Sequence, residues 1–215
     1  MKYARWKEIM SHQQQFKDFI HNIEHLDYVI FRGFALLPEL PDTDIDMFVP
    51  PEQYAEFCSI AQQTLKAGKH FNYGYAEWCD MQYHPHFTTA PKDAAIPNKH
   101  QAFRMDLYNS LYFKTPLDDT FWTVGKKYFD SVVRRRRREN FYWLVSLEDE
   151  IALTVCRGAL DHKGTWKDKH KQRMQVLLNT VPEQLAIQTI AEVLPNSEDI
   201  YKKLKQEQYE DITWD

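Results

Sequence analysis

Asp44 and Asp46 stand one residue apart in Asp42-Thr43-Asp44-Ile45-Asp46-Met47-Phe48-Val49, and this is the first place where the chain could do chemistry. In an extended strand residues i and i+2 share a face, so both carboxylates point one way while Ile45 points into a core. Their Cβ atoms then lie roughly 6.6 Å apart, two rises of ~3.3 Å. That gap suits one bound cation. Without a cation, neighbouring carboxylates repel and one takes up a proton. A hard divalent ion such as Mg²⁺, held at about 2.0–2.1 Å by a few carboxylates and substrate phosphates, removes the conflict. The plainer alternative is a strand end whose acids sit in water.

Other residue types extend the pattern. Gly33 follows the apolar Tyr28-Val29-Ile30-Phe31 and Arg32, eleven residues before Asp44. Asp106 lies in Arg104-Met105-Asp106-Leu107-Tyr108, a third acid at a position that reads as buried. Lys163, Lys167, Lys169, His170, Lys171 and Arg173 surround Gly164. On a helix Lys169 and Arg173, four residues apart, share a face that suits a triphosphate; the alternative is a solvated helix start. Arg134 to Arg138 is an unbroken arginine run. Wrapped round a helix, its five side chains cannot all face one ligand, so it is either a solvated surface or a docking site for an anionic partner such as RNA, membrane or a polyanionic glycan. Cys79, His84 and His86 have spacing that could contribute to a zinc site, with no evident fourth ligand. The aromatics from Phe71 to Phe87 are either core or a base-stacking platform.

The elements that must position these residues are legible from periodicity. Ile9, Phe16, Phe19, Ile20 and Ile23 make Trp6 to His25 an amphipathic helix. Tyr28 to Phe31 is a short buried strand ending at Gly33, and a loop with Pro38 and Pro41 leads to a strand over Asp44 to Val49. Pro50-Pro51 stops that strand and opens a helix to about Ala67. Lys69 to Thr89 reads as one or two irregular strands, Ala90 to Lys99 as a loop, and Phe103 to Phe113 as a further strand. From Thr120 the pattern turns helical: Phe121 to Val133, Leu147 to Asp161, Trp166 to Asn179, Pro182 to Val193 and a polar last helix near Ser197 to Glu210. Ser146-Leu147-Glu148-Asp149 has the form of a capping box with Asp in the Glu/Gln position. Strands followed by helices predict an α+β protein: a small mixed β-sheet flanked by helices over 1–118, then a helical domain over 119–215.

Composition narrows the class. A chain of 215 residues with 43% hydrophobic and 27% charged residues can bury a real core and carries no disorder signature. No apolar run approaches the ~18 residues of a membrane span, and Met1 to Glu8 lacks the apolar stretch of a secretory signal, so the expected location is cytoplasmic. Three cysteines, widely spaced, argue for reduced thiols over a disulfide framework. The net charge of −4 is not that of a chain built as a whole to attract nucleic acid.

A strand ending in glycine, a loop, Asp-x-Asp on the next strand and a lone Asp on a later one together resemble the nucleotidyltransferase superfamily of the DNA polymerase β type. The resemblance covers about Tyr28 to Phe113. It implies a metal-dependent transferase that moves a nucleoside monophosphate from a nucleoside triphosphate, ATP among them, to a hydroxyl or phosphate acceptor. Asp44, Asp46 and Asp106 would hold Mg²⁺ or Mn²⁺, with Asp106 also helping to activate the acceptor. Gly33 would let the backbone approach a phosphate, with Arg32, Phe34, Lys169 and Arg173 around the donor. The family usually carries a small hydroxyl residue after the glycine; here Phe34 stands there, and Arg32 supplies a charged substitute. The acceptor would be a small molecule, glycan, RNA or protein. Two other readings stay open. One is a phosphotransferase resembling the choline-phosphate and fukutin-related group, using a cytidine-diphosphate-linked donor on a glycan. The other is a catalytically silent binding protein that uses its arginine run.

Overall fold

The computed structural model describes residues 13–37, 39, 44–64, 86–88, 104–109, 111–114, 121–161 and 165–212. The expected loop over Ala90 to Lys99, most of the aromatic stretch and the Cys79/His84 pair lie outside the described residues, as does Ile9 in the first helix. The protein is α+β: a mixed sheet with helices beside it and a largely helical C-terminal part.

Two compact units divide the chain: Met1–Ser110 with Arg136–Leu144, and Leu111–Arg135 with Val145–Asp215. The chain therefore crosses between the two units three times.

The first unit begins with helix α1 (residues 13–22), whose Phe16, Phe19 and Ile20 are buried, as is Ile23 just beyond it. Strand β1 (Val29–Arg32), strand β2 (Ile45–Phe48), a 3₁₀ turn (Pro51–Gln53) and helix α2 (Tyr54–Thr64) follow in the predicted order. Pro51 sits in that first turn, where its missing N–H is no loss. Strands β3 (His86–Thr88) and β4 (Arg104–Tyr108) complete one side of a six-stranded sheet. The other side comes from β7 (Arg137–Glu139) and β8 (Tyr142–Leu144), giving the order β3-β4-β2-β1-β8-β7. β2 runs antiparallel to β1 and parallel to β4, while β1 runs parallel to β8. One face is apolar: Ile30, Ile45, Met47, Met105, Leu107 and Leu144 join the buried side chains of α1 and α2 in one core.

The expected strand over Phe103 to Phe113 is two strands. β4 ends at Tyr108, the chain bends at Asn109, and β5 (Leu111–Lys114) pairs with β6 (Phe121–Val124) in a separate two-stranded sheet of the second unit. Asn109-Ser110, a pair of turn formers, interrupts an alternation that otherwise runs through it. The expected helix over Phe121 to Val133 is also divided. Phe-Trp-Thr-Val is β-favouring and forms β6; Gly125 follows, and helix α3 (Lys126–Arg135) begins after it.

Helix α4 (Leu147–Cys156) continues into a π turn (Arg157–Asp161), and helices α5 (Asp168–Thr180), α6 (Glu183–Ala191) and α7 (Ser197–Lys205) close the second unit. Ser146 caps α4 by accepting from the Asp149 N–H at 3.2 Å. Asp149 does not reach back as in a capping box. Its buried carboxylate accepts from the Ser146 hydroxyl at 2.8 Å and from Arg135 at 2.6 and 3.0 Å.

The arginine run is not one helix. Arg134 and Arg135 end α3, Arg136 is the junction, and Arg137 and Arg138 open a hairpin with β8. Within the second unit Arg135 binds Asp149 and Glu192. Within the first, Arg136 pairs with Asp27 at 2.9 Å and Arg138 with Glu24 at 2.8 Å, and their guanidinium groups lie 4.7 and 5.1 Å from the Trp143 ring centroid. Arg137 pairs with Glu139. Four of the five arginines are thus paired with acids of their own unit, while Arg134 is exposed and donates to the Ser131 hydroxyl at 2.9 Å. Among the described residues, no helix is long and apolar enough to cross a membrane.

Candidate functional site

Because β2 and β4 are parallel and in register, every residue of one has a lateral neighbour on the other: Ile45 with Met105, Asp46 with Asp106, Met47 with Leu107 and Phe48 with Tyr108. Ile45, Met47, Met105 and Leu107 fill the core. Alternation therefore turns Asp46, Asp106 and Tyr108 to the opposite face. The strands are about 4.8 Å apart. Two aspartates from stretches sixty residues apart are thus lateral partners in the register. Asp44 is half-buried one residue before β2, on the same parity as Asp46.

Gly33 fixes where Asp44 stands. Its φ is +76°, and a Cβ there would lie 2.1 Å from the Asp44 carbonyl oxygen. The close approach that requires glycine is therefore to the backbone of Asp44. Phe34, which follows the glycine, is partly buried and packs against the apolar core.

Arg32 reaches this face through an irregularity in β1. Val29 pairs with Phe48 and Ile30 with Met47, but Arg32 pairs with Asp46, leaving Phe31 as an extra residue. Such a bulge turns side chains away from strict alternation. With regular pairing, Phe31 would oppose Asp46 and Arg32 would face the core, where an unpaired charge is very costly. Instead the Phe31 ring meets the Tyr108 ring edge-on at 5.3 Å, and Arg32 Nε forms an ion pair with Asp46 Oδ2 at 2.6 Å. Arg32 Nη2 donates to the Tyr108 hydroxyl at 3.2 Å. Burial, and next the charge of Asp46, push the Tyr108 phenol well above its ordinary pKa, so it acts as a neutral hydroxyl.

The result is a partly buried polar patch on the face of the sheet opposite the core: Asp46 and Asp106 side by side, Arg32 and Tyr108 beside them, and Asp44 one residue before β2. Three carboxylates offer the hard oxygen donors that suit Mg²⁺ or Mn²⁺. Among the described residues, no group of three or more His, Cys, Asp and Glu side chains is gathered closely enough to hold a metal ion as it stands. Arg32 is the cation on Asp46 instead.

Lys169 and Arg173 belong to α5 in the second unit. Lys169 is exposed, whereas Arg173 grips the buried Glu150 with two hydrogen bonds of 2.7 Å. Arg173 therefore has a structural partner that the sequence reading did not assign it. Tyr108 and Phe31 were missed as neighbours of the acids. Tyr108 was within reach of the same parity rule, two residues after Asp106, but the Phe31 bulge leaves no mark in the periodicity. Compared with models of known families, with curated proteins and with solved structures, the chain matches none.

Proposed function

We propose that this chain is a Mg²⁺- or Mn²⁺-dependent nucleotidyltransferase, with a fold of the DNA polymerase β type in its first unit, moving a nucleoside monophosphate from a nucleoside triphosphate to a hydroxyl or phosphate acceptor. The observation that carries this reading is the register of Asp46 beside Asp106 on parallel strands, with Asp44 two residues upstream. Phosphoryl transfer requires little covalent help from a protein; it requires negative charge neutralised and the attacking and leaving oxygens held in line. Asp44, Asp46 and Asp106 would hold the metal, which when bound supplies that neutralisation. Asp106 would accept the proton of the acceptor hydroxyl as its oxygen bonds to the α-phosphorus and the bond to pyrophosphate breaks. Gly33 and the bulge at Phe31 would keep Asp44 and Arg32 beside the phosphates.

A second reading, a catalytically silent binding protein, draws on the Arg32–Asp46 ion pair and on Phe34 packed against the core. Pyrophosphate release across the four nucleoside triphosphates with Mn²⁺ tests the first, and release of cytidine monophosphate from cytidine-diphosphate-linked alcohols tests the other donor class. Asp46→Asn is expected to lower turnover at least a hundredfold, on the order of 3 kcal/mol of transition-state stabilisation. Near-normal turnover by that variant, or Mn²⁺ affinity unchanged by Asp44→Asn, Asp46→Asn and Asp106→Asn alike, would remove the metal reading and leave the second.

A further inference from the structure

Arg32 makes three kinds of contact around the acids: the 2.6 Å ion pair with Asp46, the 3.2 Å hydrogen bond to Tyr108, and ring contacts in which its guanidinium carbon lies 5.1 and 5.8 Å from the Phe31 and Tyr108 centroids. We infer that Arg32 is an internal counter-ion that competes with divalent metal for Asp46 and transfers to the phosphates of the donor when metal and nucleotide enter together. The inference rests on the reading above and assigns Arg32 a positioning role within it.

Three properties carry it. A guanidinium stays charged at any pH the folded protein meets, so it cannot yield to an arriving dication by losing a proton. Two cations at hydrogen-bond range of one carboxylate repel strongly where water is largely excluded, so metal at Asp46 requires the side chain to move. The Arg32 side chain is 26% exposed against 11% for that of Asp46, which makes it the partner with room to swing. The fork it carries also matches two oxygens of a phosphate as well as it matches a carboxylate. Metal alone would therefore bind against Arg32, whereas metal with a triphosphate would offer Arg32 a new anion in exchange. Tyr108 holds the near position through its hydroxyl, and the bulge holds the Arg32 backbone beside both.

The test is Mn²⁺ binding by the full chain, followed by electron paramagnetic resonance with and without a non-hydrolysable nucleoside triphosphate. Arg32→Gln is expected to bind Mn²⁺ alone at least tenfold more tightly than the native chain, and to lose most of the tightening that the nucleotide gives the native chain. Arg32→Lys keeps the charge without the fork. It is expected to match the native chain within about threefold for Mn²⁺ alone while showing a nucleotide effect reduced about tenfold, and it serves if Arg32→Gln does not fold. Binding by Arg32→Gln no tighter than native, with Asp46→Asn still abolishing it, would overturn the role of Arg32 and leave the metal site standing. A full nucleotide effect in Arg32→Lys would also overturn it. Mn²⁺ binding insensitive to all three aspartates would sink the underlying reading, and the inference with it.

Discussion

Replacing Gly33 with alanine places a methyl carbon 2.1 Å from the Asp44 carbonyl oxygen and 2.9 Å from both its carbon and the Ile45 Cα. Those atoms are backbone and cannot rotate aside. Relief requires the separation to grow from 2.1 Å towards the 3.4 Å of ordinary contact, and Ile45 behind it is fully buried in the core. Two effects add. A non-glycine residue held at positive φ costs about 1–3 kcal/mol, and forcing an extra carbon into filled space costs about 1–3 kcal/mol more. The sum, about 2–6 kcal/mol, is a large share of the roughly 5–15 kcal/mol that stabilises a folded chain. For a chain of this size each kcal/mol lowers Tm by about 2–4 °C, so a fall of roughly 4–24 °C is expected.

Gly125 is the control. A Cβ there meets nothing within 4 Å, and its φ is not positive. Gly125→Ala should therefore change stability by no more than about 1 kcal/mol in either direction. Paired urea and thermal unfolding of the two variants isolates the Gly33 effect from the general consequence of adding a methyl group. Under the proposed function Gly33→Ala should also weaken Mn²⁺ binding, because the atom pushed aside belongs to Asp44. If Gly33→Ala melted within a degree or two of Gly125→Ala, Gly33 would not be holding Asp44 in place, and the account of why glycine stands there would fail.

Two further expectations concern the rest of the molecule. Asp149 is fully buried and holds Arg135 and the Ser146 hydroxyl, so Asp149→Ala should destabilise by about 2–4 kcal/mol, below the usual cost of breaking a buried pair because Arg135 keeps Glu192. Glu192→Ala, at the more exposed end of the same guanidinium, should cost under ~1 kcal/mol, and equal effects of the two variants in urea unfolding would refute this division. Burial pushes the Cys58 thiol up to about 11, so it is protonated at pH 8; its alkylation there should run about two orders of magnitude slower than that of a free cysteine and should accelerate as pH rises towards 11. Mass mapping of the Cys58 peptide reads this out, and rapid labelling at pH 7 would contradict it.

Much of the first unit was legible because its signals are local. Phe16, Phe19, Ile20 and Ile23 repeat at helical spacing, and they are the residues that the first helix and the turn after it bury. Pro50-Pro51 ends a strand for a covalent reason and starts a helix for another. The failures fall where tertiary pairing decides. Leu111 to Lys114 and Phe121 to Val124 are each too short to announce themselves, and they are strands because each pairs with the other. The Arg137–Leu144 hairpin was hidden by its own composition: an arginine run reads as a solvated helix unless Asn140, at φ +53°, is taken as a hairpin signal. Its strand β8 then joins β1, a pairing across more than a hundred residues that no window along the chain contains.

The polar patch was half legible for a related reason. Alternation in Ile45-Asp46-Met47 and in Met105-Asp106-Leu107 states that each acid turns away from a core, and two such strands have few ways to bury Ile45, Met47, Met105 and Leu107 on one side other than side by side. Parallel register then brings Asp46 to Asp106 without any signal that links the two segments directly. What sequence periodicity could not supply is the cation. Regular pairing would have sent Arg32 into the core, and only the extra residue at Phe31 returns it to the acids. A bulge is a departure from periodicity, so a reading built on periodicity is blind to it. Yet under the proposed function this departure decides whether the acids would meet a dication bare or already paired, and the Mn²⁺ affinity of Arg32→Gln is where the difference becomes measurable.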